Sequence, residues 1–329
     1  MFRLLTCIIL LCNAGIAISQ CDTVKVEALK GEGVYALLKR NHYEASYFSD
    51  FVRINKKYLG PENTLIAGKI YALPCKPDSI IVPVVSDSVP GIVCIDSVLS
   101  GTVFYLIPGH GGPDPGAVAT VDGNMITEDE YAYDIALRLK REIESHAGVA
   151  IMIVIDPNDS IRNEKFLVHD TDEICYPDKS IPRDHNERLL QRVYAVNNLY
   201  DSYGALVHQR VIEIHLDSRP ESQKIDVFFY YHTTSTKGQR LAEIMLSTFE
   251  AKYKEHQPNR VYNGSVSPRS LMVLRKTKPV GVFMELGNMS NVNDQKRFLD
   301  PDNRDILAKW ICAGLIEEYN EVGKKQSLN

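Results

Sequence analysis

Along most of the chain, short apolar runs alternate with longer stretches whose apolar residues recur every three or four positions. The runs at 103–107, 149–155, 211–215, 227–231 and 280–286 are rich in Val, Ile, Leu and Phe, and each has the length of a strand buried on both faces. The periodic stretches 131–145, 187–200, 238–253 and 304–321 predict amphipathic helices. Their alternation predicts an α/β domain over residues 101–322: an open mixed sheet with helices on both faces. Ahead of it lies a shorter pattern, with a strand at 24–29, helices at 34–41 and 47–54 and a strand at 70–74. This is a small βααβ unit, placed at 20–75. Residues 76–100, rich in Val, Ser and Pro and without helical periodicity, predict a linker, and residues 323–329 a polar tail.

The first residues break both patterns. A single cation, an apolar run from Leu4 to Leu11 and then small residues outline a secretory signal peptide over 1–19, too short for a membrane span. Ala17 and Ser19 place cleavage before Gln20, and lipid attachment at Cys21 is the minor alternative. The chain is therefore expected in the periplasm or outside the cell. Cleavage removes Cys7 and Cys12 and leaves Cys21, Cys75, Cys94, Cys175 and Cys312. In an oxidising compartment Cys21 and Cys75 could pair, but spacing alone does not fix connectivity. No Cys-x-x-Cys occurs, which removes zinc ribbons and thioredoxin-type redox sites.

Composition narrows the function. The 329 residues allow about two domains, and 44% hydrophobic with 24% charged residues is ordinary globular usage. A formal net charge of -5 carries no basic footprint for a phosphate backbone, so nucleic acid is not an expected partner.

Three strand ends carry candidate chemistry. The run 103–107 stops at Pro108-Gly109-His110-Gly111-Gly112, and 211–215 ends on His215. In open α/β sheets, ligands gather outside the carboxyl ends of strands. Two imidazoles there can share a metal ion, and catalytic zinc takes three protein ligands. The third ligand should be a carboxylate or imidazole, and Glu128, Asp129 and Glu130 lie before a predicted helix without being distinguishable from one another. Their plain reading is an acidic first turn that favours the helix dipole. Glu285 ends a third apolar run, where a buried carboxylate needs a partner or a chemical role, such as moving the proton of a metal-activated water.

Two resemblances give these residues a context. The segment from Gly31 to Pro74, with its leading valine strand, the Tyr35–Lys39 helix start, Ile54-Asn55 and the closing Gly68-Lys69-Ile70-Tyr71-Ala72-Leu73-Pro74, resembles a LysM domain, a module that binds N-acetylglucosamine-containing glycans. It departs at Gly31-Glu32-Gly33, where that family has Gly-Asp-Thr. Residues 102–321 resemble the zinc-dependent N-acetylmuramoyl-L-alanine amidases. The match rests on Gly109-His110-Gly111-Gly112 with Asp114 and Gly116-Ala117, on Glu128, on Arg192 with Ala195 and Asn197, on His215, and on Glu285 with Ser290-Asn291.

The second resemblance implies a zinc hydrolase-like fold, Zn2+ held by His110, Glu128 and His215, and Glu285 as catalytic base and then acid. It implies cleavage of the amide between N-acetylmuramic acid and L-alanine of the stem peptide, in wall remodelling or daughter-cell separation. Peptidoglycan is the expected partner, with a protein activator as a further one. Arg275 and Asn291 are expected on the substrate side. Glu213, Asp217 and Asn288 stand where the family has Ser, Asn and Phe. The long stretch 157–187 is expected to cover the zinc site in part. The rival readings are a non-catalytic wall-binding scaffold and a zinc peptidase.

Overall fold

The computed structural model describes residues 24–41, 43, 47–74 and 94–326. The expected signal peptide, Cys21, Cys75 and most of the expected linker lie outside these residues. The chain divides into two compact units.

In the first unit, β1 (Lys25–Glu27), α1 (Val34–Arg40), α2 (Phe48–Asn55) and β2 (Ile70–Ala72) follow one another, and β1 pairs antiparallel with β2. Leu37, Leu38, Phe51 and Tyr71 are fully buried in its core. Asn55 closes the unit: its amide donates to Phe51 O and Ala72 O and accepts from Ala72 N, so it ties the end of α2 to β2. Glu32, the departure residue of the opening turn, accepts Leu29 N and pairs bidentately with Arg40.

The second unit runs β3 (Thr102–Pro108), β4 (Val118–Val121), β5 (Asn124–Thr127), α3 (Glu128–Ser145), β6 (Val149–Met152), β7 (Val154–Ile155), β8 (Ile174–Cys175), β9 (Lys179–Ser180), α4 (His185–Tyr203), β10 (His208–Asp217), β11 (Phe228–Tyr231), α5 (Thr236–His256), β12 (Ser265–Pro268), α6 (Met272–Lys276), β13 (Val280–Asn288), α7 (Val292–Leu299) and α8 (Pro301–Gln326). The central sheet has the order β12-β11-β13-β10-β3-β6. Strands β13, β10, β3 and β6 are parallel, and β11 is antiparallel to β13, which makes the sheet mixed. Alternate residues face opposite layers. Phe104, Leu106, Ile212, Ile214, Val282 and Met284 pack with the helices α3, α5 and α8, whereas Val103, Tyr105, Ile107 and Val211 pack with Val193 and Val196 of α4 and Val273 of α6. Both faces are covered, so the strands read as unbroken apolar runs.

Several expectations need correction. The run 149–155 is two strands: at Ile153 the chain leaves the sheet, and Val154 pairs with Cys175 of β8. Helix α3 starts at Glu128, which puts all three acidic residues in its first turn. The end of the expected linker belongs to this unit, because Leu99 is fully buried and the backbone of Ile95 and Leu99 bonds the end of α3. Helix α8 runs to Gln326, taking in part of the expected tail.

One buried ionic group holds the helical layer to the stretch 157–187. Asp134 Oδ2 accepts from Arg138 Nε at 2.7 Å and Arg304 Nε at 2.6 Å, and Oδ1 accepts Arg162 N. The two guanidiniums donate onward to Arg162 O, Glu164 O, Phe298 O and Leu299 O. All three side chains are essentially fully buried. Removing one member of such a group strands charge in the interior, at about 3–5 kcal/mol. Asp134→Ala is therefore expected to lower the urea-unfolding free energy by about 3–5 kcal/mol, and a loss below about 1 kcal/mol would show the group to be dispensable.

Candidate metal centre and active site

The parallel register brings three strand ends side by side. His215 of β10 lies opposite Glu285 of β13, and β3, on the other edge of β10, runs into the turn that carries His110. His215 and Glu285 share the α4 face of the sheet with Glu213 and Phe283, since Ile214, Leu216, Met284 and Leu286 occupy the opposite face.

After β3, Gly109 N donates to Ile214 O, and His110, Gly111 and Gly112 all take positive φ. For His110 (φ 62°) this is a strained conformation of the kind that concentrates at functional sites. Two glycines make room for the rings. A Cβ on Gly109 would fall 2.5 Å from the His215 imidazole, and one on Gly116 would fall 2.6 Å from His110 Cδ2 and 2.7 Å from Glu128 Oε2.

Glu128 joins the two histidines. Its Oε2 lies 3.1 Å from His110 Nε2 and its Oε1 lies 2.8 Å from His215 Nδ1. The same oxygens accept Ala117 N and Leu216 N. One donor atom from each of His110, Glu128 and His215 falls within 4.8 Å of the others. The other nitrogen of His110 is held by Asp114 at 2.9 Å, and Asp114 is held by Arg188. A ring oriented by a carboxylate on one nitrogen and free to ligate through the other is the usual arrangement of metal-binding histidines. Phe283 stacks on His215 with ring centroids 4.3 Å apart, Arg192 donates to His110 O, and Glu285 Oε2 is buried without a hydrogen-bond partner. A donor set of two imidazoles and one carboxylate beside an unpartnered buried carboxylate fits a divalent cation with a polarised water.

Electrostatics without the cation show how tightly the centre holds protons. Burial pulls His215 down, but the hydrogen bond to Glu128 and the neighbouring Glu213 carboxylate outweigh it and lift the imidazole to about 10. Burial also opposes a raised His110, whose bonds to Asp114 and Glu128 prevail. Glu128 is pushed up by burial, yet its two imidazole partners hold it well below the usual carboxylate range. Burial lifts Glu285 to about 8, with His215 opposing and Glu128 and Asp217 adding.

Of the six expected site residues, His110, Glu128, His215 and Glu285 come together. Asn291 is occupied elsewhere, since its Oδ1 caps α7 by accepting Asn293 N and Asp294 N, and its Nδ2 donates to Glu221 O. Its amide is thereby committed to backbone. Arg275 is exposed on α6, where its guanidinium donates to Ser270. The departures are integrated structurally. Glu213 is buried beside His215, and its charge offsets part of the burial of Arg192. Asn288 holds the 219–223 loop by donating to Pro220 O and Gln223 O. The long stretch 157–187 rests on the His110 turn: Glu173 Oε2 accepts Gly112 N at 2.7 Å, and Ile181 lies against Gly112. Sequence reading assigned no role to Asp114, Arg188 or Phe283, although Asp114 stands four residues from His110 within the same glycine-rich motif.

Fold and site together define an α/β protein with a candidate cation centre at the ends of its central strands. The chain matches the Amidase_3 family, described as N-acetylmuramoyl-L-alanine amidase, over residues 105–317, and it belongs to that family; it is an amide hydrolase. It is 26% identical over 225 residues to the germination-specific N-acetylmuramoyl-L-alanine amidase of Bacillus subtilis, covering 68% of this chain and 83% of that protein. It is 23% identical over 222 residues to the probable cell wall amidase LytH of Staphylococcus aureus, covering 66% of this chain and 58% of LytH. Among solved structures, the CwlD amidase of Clostridioides difficile, determined with the GerS lipoprotein, is similar in fold, with a TM-score of 0.50 and 22% identity over 67% of this chain and 99% of that one.

Two expectations follow from the geometry. Because the His215 imidazole, lifted to about 10, keeps its proton at neutral pH, a cation must displace that proton. Metal uptake by chelator-stripped protein at pH 7 is expected to acidify a weakly buffered solution, and apparent affinity to fall as pH is lowered. A pH-independent affinity between pH 6 and 8 would contradict this. Gly109→Ala drives a methyl group into His215 and is expected to weaken metal affinity about 10–100-fold while far-UV circular dichroism is retained; unchanged affinity by titration calorimetry would show that the turn tolerates the side chain.

Proposed function

We propose that this amidase is a zinc enzyme that cleaves the bond between the lactyl group of N-acetylmuramic acid and L-alanine of the peptidoglycan stem peptide. His110, Glu128 and His215 hold the ion and Glu285 handles protons. The observation that carries this reading is the convergence of these four side chains at three neighbouring strand ends, within the stretch that matches the amidase family. Zinc, when bound, supplies a Lewis acid for the carbonyl oxygen and lowers the pKa of water.

The residues of the chain supply the rest. Glu285, unpartnered at Oε2 and beside His215, takes a proton from the attacking water as its oxygen bonds to the carbonyl carbon. The same carboxyl returns that proton to the nitrogen of L-alanine as the carbon–nitrogen bond breaks, leaving a free amine and a lactyl carboxylic acid that ionises by releasing the second proton of the water. Burial favours the protonated form of Glu285, which suits the second half of this cycle. Asp114 and Arg188 orient His110, and Phe283 fixes the plane of His215.

The same reading makes the N-terminal unit a LysM-like module that brings the enzyme to glycan strands, and the chain an exported protein of the bacterial envelope that acts in wall remodelling. No helix among the described residues is long and apolar enough to cross a membrane. Purified sacculi incubated with the protein are expected to release stem peptides with free amino-terminal L-alanine, and a chelator is expected to stop the release. Glu285→Gln is expected to lower the rate about 10²–10⁴-fold with zinc content unchanged. Peptide-bond cleavage within the stem would favour a zinc peptidase, and a full rate in the variant would remove Glu285 from the mechanism.

A further inference from the structure

The acidic first turn of α3 faces two ways. Glu128 meets the two histidines of the metal centre, whereas Asp129 and Glu130 face the stretch 157–187. Asp129 exposes 1% of its surface; its Oδ1 accepts Glu130 N, and its Oδ2 has no hydrogen-bond partner. Facing that oxygen is His169 Nδ1, also buried and without a hydrogen bond. The nitrogen lies 3.5 Å from Asp129 Oδ2 and 3.5 Å from Glu130 Oε1. Two donors each about 2.1 Å from one ion at a near-tetrahedral angle stand about 3.4 Å apart, so this spacing is that of a chelate.

The surrounding charge argues the same way. Glu130 also groups with Asp170 and Glu173, and Asp170 with Asp156 and Asp159. Against these six carboxylates stand Arg162, paired with Glu130 and Asp159, and His169. Asp129, Glu130, Asp156 and Glu173 are buried. Carboxylates in such a place are costly without a cation to face them.

We propose that Asp129, Glu130 and His169 form a second cation site, separate from the His110, Glu128 and His215 centre, that takes a divalent ion of the zinc or manganese class. One imidazole and two carboxylates suit such ions, whereas calcium is served by oxygen ligands alone. The ion would join the stretch 157–187 to the first turn of α3, one residue from Glu128. It thus acts as a staple that sets where Glu128 stands. The second site stands whichever ion occupies the first centre.

The test uses the full-length protein, stripped with a chelator, reloaded separately with Zn2+, Mn2+ or Ca2+, dialysed, and assayed for metal by mass spectrometry and for thermal midpoint. Wild type is expected to retain two equivalents of at least one of Zn2+ and Mn2+. His169→Ala and Asp129→Asn are each expected to retain one, His215→Ala one, and His169→Ala with His215→Ala none. The metal-dependent rise in midpoint is expected to shrink in His169→Ala. Asp129→Asn preserves shape, so it decides the matter if His169→Ala does not fold. Two equivalents in both single-site variants, or one in wild type that disappears with His215→Ala, would overturn the proposal. Retention of Ca2+ in place of Zn2+ and Mn2+ would overturn the assigned ion class. Two equivalents in His215→Ala together with one in His169→Ala would instead uphold this site and count against the His110, Glu128 and His215 reading.

Discussion

The carboxylate of Glu128 is the constraint on which the centre depends. One side chain at the start of α3 meets both imidazoles and two backbone amides, and so ties the turn after β3, the end of β5 and the tip of β10 to a single point. A helix N-terminus favours an anion, which helps to keep Glu128 ionised despite its burial. The contacts leave no slack: Gly109 and Gly116 exist as glycines because a methyl group at either would enter the cluster.

Around that point, charge is arranged in layers. Asp114, Arg188 and Arg192 hold the His110 turn from the α4 side, and Glu213 lies beside His215 beneath the same helix. On the other side, Asp134 gathers Arg138 and Arg304 and anchors Arg162, so the stretch 157–187 is fastened at its base before Glu173 reaches Gly112. The stretch is therefore a buttress of the His110 turn, built by buried ionic contacts that are strong because their neighbours satisfy them.

Much of this is legible in the residues alone. Apolar runs mark the strands, and His110, His215 and Glu285 stand out because each ends one. The Asp122-Gly123 turn of the β4–β5 hairpin carries an available signal, since both residues take the left-handed conformation such turns require. Other features have no local signal. The break at Ile153 depends on β8 being available to pair with Val154. Asn291 reads as a polar residue near a motif, and only the position of α7 makes it a cap. Leu99 looks like linker until the end of α3 is placed beside it.

The sequence by itself determined the alternation of strand and helix, the burial of both sheet faces and the identity of the residues at three strand ends, because periodicity and apolar content act locally. Tertiary structure alone decided what each of Glu128, Asp129 and Glu130 faces. Successive residues in a helical turn point about 100° apart, and three adjacent carboxylates of similar chemistry differ only in what the fold sets opposite them: two histidines for Glu128, and His169 with an acidic wall for Asp129 and Glu130.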